Sequence, residues 1–128
     1  MYQRKIPEML DCGLAVAVKV IGGKWKAWIL DCIRRGVSRP SAIHREMQAV
    51  NARIINLHLK ELEEAGIIYK EIFAEVPARV EYRLTPVGES LLPVIDVLEQ
   101  WGNTHKDYIN RNHADYASGN CQFLQQSN

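Results

Sequence analysis

The chain has only three cysteines among its 128 residues, Cys12, Cys32 and Cys121, and no two of them stand in a CxxC spacing. An odd, scattered set argues against both a secreted disulfide framework and a zinc finger. The four histidines, His44, His58, His105 and His113, form no pair with a cysteine or an acid on one helical face, so no metal site is expected. Long apolar runs are absent too. The run 14–21 is interrupted by Lys19 and is far too short to span a bilayer, and no basic segment leads into an apolar leader. A cytoplasmic location, with no membrane partner, is the default expectation. Charge of one sign is also missing: 16 Lys and Arg against 15 Asp and Glu leave a net charge of +1. No global field announces a nucleic-acid partner, although a global sum can hide a local one. Between Arg34 and Arg83 the balance is still only nine basic against seven acidic residues, so placement has to carry the signal.

Catalytic patterns are equally lacking. No nucleophile has a base at suggestive spacing, no glycine-rich loop is built for phosphate, and no paired acids lie in an apolar setting. The residues call for neither an enzyme nor a cofactor, and they name no small-molecule effector. What remains is an ordinary globular balance, 47% hydrophobic and 24% charged, over about one domain's length. No internal repeat and no second domain are visible.

The positive signals lie in periodicity and punctuation. Over 9–21, Leu10, Leu14, Val18 and Ile21 fall at helical spacing, with Ala15, Val16, Ala17 and Val20 filling much of the remaining surface. A helix apolar nearly all round is buried on more than one side, and in so small a domain a second subunit is the expected cover. Gly22-Gly23 ends it. A second helix is expected over 24–35, with Trp25, Trp28, Ile29, Cys32 and Ile33 as its core stripe and Gly36 as its stop. Pro40 suits the first position of a short third helix that turns Ile43 and Met47 inward. Asn51 is a good N-cap for a fourth helix reaching Ala65, with Gly66 as its stop. At about 100° per residue, Ile55, Leu59 and Leu62 share one face of that helix, and Arg53, Asn56, Leu57 and Lys60 the opposite one.

Ile67 to Phe73 reads as a strand, and Val80, Tyr82 and Leu84 alternate with Glu81 and Arg83 as a second, so a hairpin is expected with its connection near 74–80. Thr85-Pro86 opens a last helix over about 86–112. Its stripe is Leu91, Leu92, Ile95, Leu98, Trp101 and Tyr108, with Pro93 near enough to the start to kink it rather than end it. Residues 113–128 then read as a polar tail. The fold class expected is mainly α with a small β-hairpin (α+β), residues 1–112 forming one unit.

Three motifs in order carry a family resemblance: Ile21-Gly22-Gly23-Lys24-Trp25, Leu59-Lys60-Glu61-Leu62-Glu63-Glu64-Ala65-Gly66, and Val76-Pro77-Ala78-Arg79-Val80-Glu81-Tyr82-Arg83-Leu84-Thr85. They mark helix start, recognition-helix end and wing, and through them Ile21 to Trp101 resembles a winged helix-turn-helix of the HxlR type. That resemblance implies a small cytoplasmic transcription factor related to the MarR group. Such proteins are homodimers on palindromic operators, joined through their first and last helices. The chain departs from the family pattern in three places. Gly13 follows Cys12 where proline is usual. Arg39-Pro40-Ser41-Ala42-Ile43 lacks the family's aromatic and acid. Asn51-Ala52-Arg53 replaces its serine-glutamine-lysine, which points to a different operator.

Roles on double-stranded DNA follow from chemistry. Arginine pairs bidentately with guanine and asparagine with adenine in the major groove, each contact worth about 1–3 kcal/mol of discrimination. Arg53 and Asn56 are therefore the candidate base readers, with Asn51 at the head of their helix and Leu57 able to touch a thymine methyl. Lys60, Lys24, Ser41 and Arg39 are candidates for phosphate contacts, which set register. Arg79, expected at the tip of the wing, is suited to a narrow minor groove, and truncating it should leave the fold intact. Glu63 and Glu64 mark where the recognition helix leaves the groove. Cys12 matches the early cysteine that senses oxidants or electrophiles in some family members, but no basic neighbour beyond Arg4 and Lys5 is evident to lower its pKa. Otherwise it is a small apolar residue near a dimer interface. The competing expectation is a winged helix that binds another protein and no specific DNA.

Overall fold

The structure, a computed structural model, describes residues 12–23 and 25–117, the side chains of 114–117 excepted. Its elements run α1 (Gly13–Ile21), α2 (Lys26–Arg34), α3 (Pro40–Glu46), α4 (Ala52–Glu64), β1 (Ile68–Phe73), β2 (Arg79–Leu84) and α5 (Pro86–Ala117). The expected class, mainly α with one hairpin, is what forms. Two compact units divide it after Leu92. The first holds α1 to α4, the hairpin and the first turns of α5; the second holds the rest of that helix.

The core of the first unit is assembled from one stripe per helix. Ile29, Leu30 and Cys32 of α2, Ile43 of α3, Met47 just after it, Ile55, Leu59 and Leu62 of α4, and Ile68 of β1 are all essentially sealed from solvent. The α2 stripe departs from the expected one: Leu30 is fully buried, while Trp28 stays 38% exposed. The reason is that α2 touches α1, α3, α4 and β2, so it is covered over a wider arc than a single stripe. Trp28 is left at the margin, where its ring lies 5.7 Å from that of Trp25.

Glycine ends α2 and α4 in the same way. Gly36 and Gly66 take φ of +93° and +76°, which glycine adopts without a Cβ penalty. At each site two crossed hydrogen bonds close the helix: Gly36 N–H to Ile33 and Val37 N–H to Cys32, then Gly66 N–H to Glu63 and Ile67 N–H to Leu62. These satisfy carbonyls that would otherwise be orphaned, and they turn the chain sharply. After α4, that turn delivers the chain straight into the hairpin.

The hairpin is antiparallel in register from Ile68↔Leu84 to Phe73↔Arg79. Its outer edge is tied back to the helices: Tyr82 N–H donates to the Ser38 carbonyl at 2.9 Å, in the loop before α3. Thr85 caps α5 as its position before Pro86 suggested, its Oγ1 accepting from Gly88 N–H at 3.0 Å while donating to the Gly66 and Ile67 carbonyls. The helix passes through Pro93 and continues five residues beyond the expected end at 112.

α1 is shorter than expected. It starts at Gly13 with Cys12 at its N-cap, and Leu10 lies outside the described residues. None of its residues is buried; Leu14 is 74% and Val18 56% exposed. On α5, Leu98, Trp101 and Tyr108 are likewise each more than half exposed. No helix among the described residues is long and apolar enough to cross a membrane.

Candidate nucleic-acid interface

α4 follows α3 through a short turn, and its sequence sorts its two faces. Ile55, Leu59 and Leu62 anchor the buried face, so Arg53, Asn56, Leu57 and Lys60 project outward, all exposed. Leu57 is 51% exposed, an apolar group with no core to serve. Asn51 caps the helix: its Oδ1 accepts the Arg53 backbone N–H at 2.7 Å. That bond places Asn51 at the head of the exposed face and commits its oxygen to the backbone.

Arg53 and Lys60 make no ion pair among the described residues, nor does Arg45, an exposed cation on α3 that the sequence reading passed over. Unpaired guanidinium and ammonium groups are free to meet phosphate or base edges. One acid on the flank of α4, Glu61, is spoken for instead. Glu61 holds Lys26 at 3.0 Å and His58 at 3.3 Å, and those two partners keep its carboxyl below the usual range. Asn56 is engaged from α3: His44 Nε2 lies 2.9 Å from its Oδ1.

The hairpin gathers Glu71, Arg79, Glu81 and Arg83 on one face, and here the expectation that Arg79 stands at the wing tip needs correcting. Register puts Glu71 directly opposite Glu81, a like-charge pair that would repel. Arg83 resolves this by donating to Glu71 at 3.0 Å and to Glu81 at 2.9 Å. Glu81 also meets Arg79 at 3.2 Å and Arg39 at 3.7 Å, and accepts from Ser38 Oγ at 3.5 Å. With three arginines round it, the Glu81 side chain is only 14% exposed, although strand alternation faces it outward.

Arg79 itself is the first residue of β2, at the shoulder of the wing rather than its tip. Its guanidinium pairs with Glu75 at 3.2 Å and lies over the Phe73 ring. These contacts tie it into the wing, against the expectation of a free side chain at the tip. Arg39, at the N-cap of α3, and the exposed Ser41 line a shallow cleft with Glu75, Pro77 and Arg79, so the start of α3 and the wing form one surface. Lys24 lies outside the described residues.

Cys12 is exposed at the N-cap of α1. No full cap hydrogen bond reaches its sulfur, but the N–H groups of Ala15 and then Leu14 point toward it and hold the thiol below its ordinary value. Arg4 and Lys5, the basic neighbours expected near it, lie outside the described residues; the donors among the described ones are backbone amides of the first turn. Cys32 is buried, and that burial pushes its thiol up. Among the described residues no group of three or more His, Cys, Asp or Glu could hold a metal.

Comparison with known proteins places this architecture. Residues 20–110 match the model of a family described as HxlR-like helix-turn-helix. An HTH-type transcriptional regulator of Methanothermobacter thermautotrophicus is 43% identical over 94 residues, 73% of this chain and 72% of its own. The HTH-type transcriptional regulator YkvN of Bacillus subtilis is 34% identical over 115 residues, covering 90% of this chain and 92% of its own. Among solved structures, the redox regulator HypR in its reduced form superposes with a TM-score of 0.73 at 32% identity, over 78% of this chain and 99% of that one.

Proposed function

The chain belongs to the HxlR-like helix-turn-helix family, its relatives are HTH-type transcriptional regulators, and on that premise we propose a sequence-specific, homodimeric DNA-binding regulator. α4 is its recognition helix, entering the major groove of an inverted-repeat operator, and the wing lies along the neighbouring minor groove. The observation that carries this reading is the outer face of α4 with its flank: Arg53, Lys60 and Arg45 exposed and unpaired among the described residues, Leu57 exposed beside them. Leu57 puts on that face an apolar group of the kind that meets a thymine methyl. Arg53 and Asn56 read bases; Lys60, Lys24, Arg39 and Ser41 hold phosphates; Asn51 fixes the start of the helix.

The dimer forms through the uncovered apolar faces of α1 and α5, since apolar surface of that extent is otherwise a liability on a monomer. The protein acts in the cytoplasm. Cys12 serves as an oxidant- or electrophile-responsive thiol. Its lowered pKa and the likeness to a redox regulator support this, and its place on α1 would let modification disturb the dimer.

Selection of bound DNA from a random pool tests the reading. An enriched inverted repeat is the expected result. A folded dimer that enriches nothing would point instead to a winged helix that binds protein.

A further inference from the structure

Asn56 stands on the exposed face of α4, yet its amide is not free to turn. His44 Nε2 lies 2.9 Å from Asn56 Oδ1, linking α3 to α4 across the turn between them. Asparagine is a two-sided reader: its oxygen accepts, its NH2 donates, and a half-turn about the Cβ–Cγ bond exchanges them. An unrestrained amide on a helix surface offers either arrangement to a base edge, and so discriminates poorly between edges that differ in the order of donor and acceptor. With its proton on Nε2 the ring donates to that oxygen, which removes the degeneracy. It holds the oxygen toward α3 and turns the Nδ2 hydrogens away from it. His44 is half-buried on α3, next to the fully buried Ile43, which gives the donor a fixed base.

We propose that His44 is a positioning residue for base recognition. It does not read a base itself; it locks the Asn56 amide in one of its two orientations, so one operator position is read by a pair spanning both helices of the motif. The inference rests on the reading of α4 as the recognition helix. A net hydrogen bond of ordinary strength biases two states about fivefold, which sets the size of the expected effect.

The test measures base preference at every half-site position for the native protein, Asn56→Ala, His44→Phe, His44→Ala, His44→Gln and the double variant Asn56→Ala/His44→Phe, each checked for folding by thermal melting. Native protein should prefer one base at the position that Asn56→Ala flattens. His44→Phe should weaken that preference about fivefold at the same position, leaving other positions and the salt dependence of binding unchanged. His44→Gln, which retains an N–H donor, should restore it, and in the Asn56→Ala background His44→Phe should add nothing. If the phenylalanine does not fold, His44→Ala makes the same comparison. An unchanged preference in the donorless variants overturns the proposal. So does an effect that persists without Asn56, or one that weakens random DNA equally and lowers the salt slope, which would make His44 a phosphate contact. If the native protein enriches no sequence at all, the regulator reading fails before any variant is made, and this inference falls with it.

Discussion

The guanidinium of Arg79 lies 3.9 Å from the centre of the Phe73 ring, its partner in the last register pair of the hairpin. With Glu75 and Glu81 each 3.2 Å away, that stack makes Arg79 a structural member of the wing as well as a candidate DNA contact. Arg79→Ala is expected to cost about 1 kcal/mol, a cation–π contact plus partly exposed ion pairs. For a domain of this size that lowers the melting temperature by roughly 3–6 °C. Arg79→Lys should recover only part, because an ammonium does not stack flat. Thermal denaturation reads this directly, and an unchanged midpoint would show that the array adds nothing. On DNA, Arg79→Ala should cost most where A·T pairs flank the half-sites; equal cost on both kinds of flank would make it a phosphate contact.

Arg53 and Lys60 project from one face but should fail in different ways. Arg53→Ala is expected to relax base preference at one or two positions per half-site, losing about 1–3 kcal/mol on the preferred sequence. Lys60→Ala should weaken all sequences alike and reduce the salt slope by about one. Binding titrations on specific and random DNA at several salt concentrations separate the two. An equal loss for Arg53→Ala on both would remove it as a base reader.

Asn51 tests whether a residue at the head of α4 reads DNA or only starts the helix. Its oxygen is engaged by the Arg53 N–H at 2.7 Å, so Asn51→Ala should cost about 1 kcal/mol of stability by loss of the cap. Asn51→Ser keeps a capping oxygen and should keep both stability and operator preference. A changed base preference in the serine variant would assign Asn51 to the base edges.

The two described cysteines should react in opposite fashion. Alkylation followed by peptide mapping is expected to modify Cys12 in the native protein and to spare Cys32. The amides of Ala15 and Leu14 favour the Cys12 thiolate, so its pKa is lowered and its rate–pH curve should rise at lower pH than that of a cysteine in an unstructured peptide. Burial disfavours the Cys32 thiolate, which displaces its curve upward. Coincident curves for Cys12 and the peptide would leave it an ordinary surface thiol.

The exposed apolar faces predict a dimer by sedimentation at micromolar concentration. Leu14→Glu, at a position 74% exposed in the single chain, should shift the equilibrium toward monomer without lowering monomer stability. A native protein already monomeric there would leave those faces without their expected cover.

Much of the fold was legible because its elements are punctuated locally. Gly36 and Gly66 end helices, Asn51 and Thr85 begin them, and period-two alternation from Val80 to Leu84 marks a strand; each signal lies within a few residues of its effect. The burial of Leu30 in place of Trp28 was not legible, since it depends on how many elements surround α2. The site was read less completely for the same reason. Nothing in the spacing of Arg39, Arg79, Arg83 and Glu81 says that three arginines share one carboxylate, and a charge count over the segment treats them as independent. His44 meets Asn56 only once the turn has folded. At Cys12 the backbone amides of Ala15 and Leu14 favour the thiolate, and no side-chain pattern in the sequence shows that.

The Tyr82 to Ser38 hydrogen bond gives the wing a property that neither strand has alone. A hairpin on two free ends would swing to meet whatever flank an operator offered. This one is sutured to the loop that leads into α3, so wing and reading head arrive with a fixed reach between them. Each base pair inserted between the major-groove contact and the flank rotates that flank by about 34° around the duplex. The protein has little slack to follow. On the proposed reading, spacing therefore becomes part of the message, and two operators with identical half-site letters but flanks displaced by a single step are expected to be different addresses.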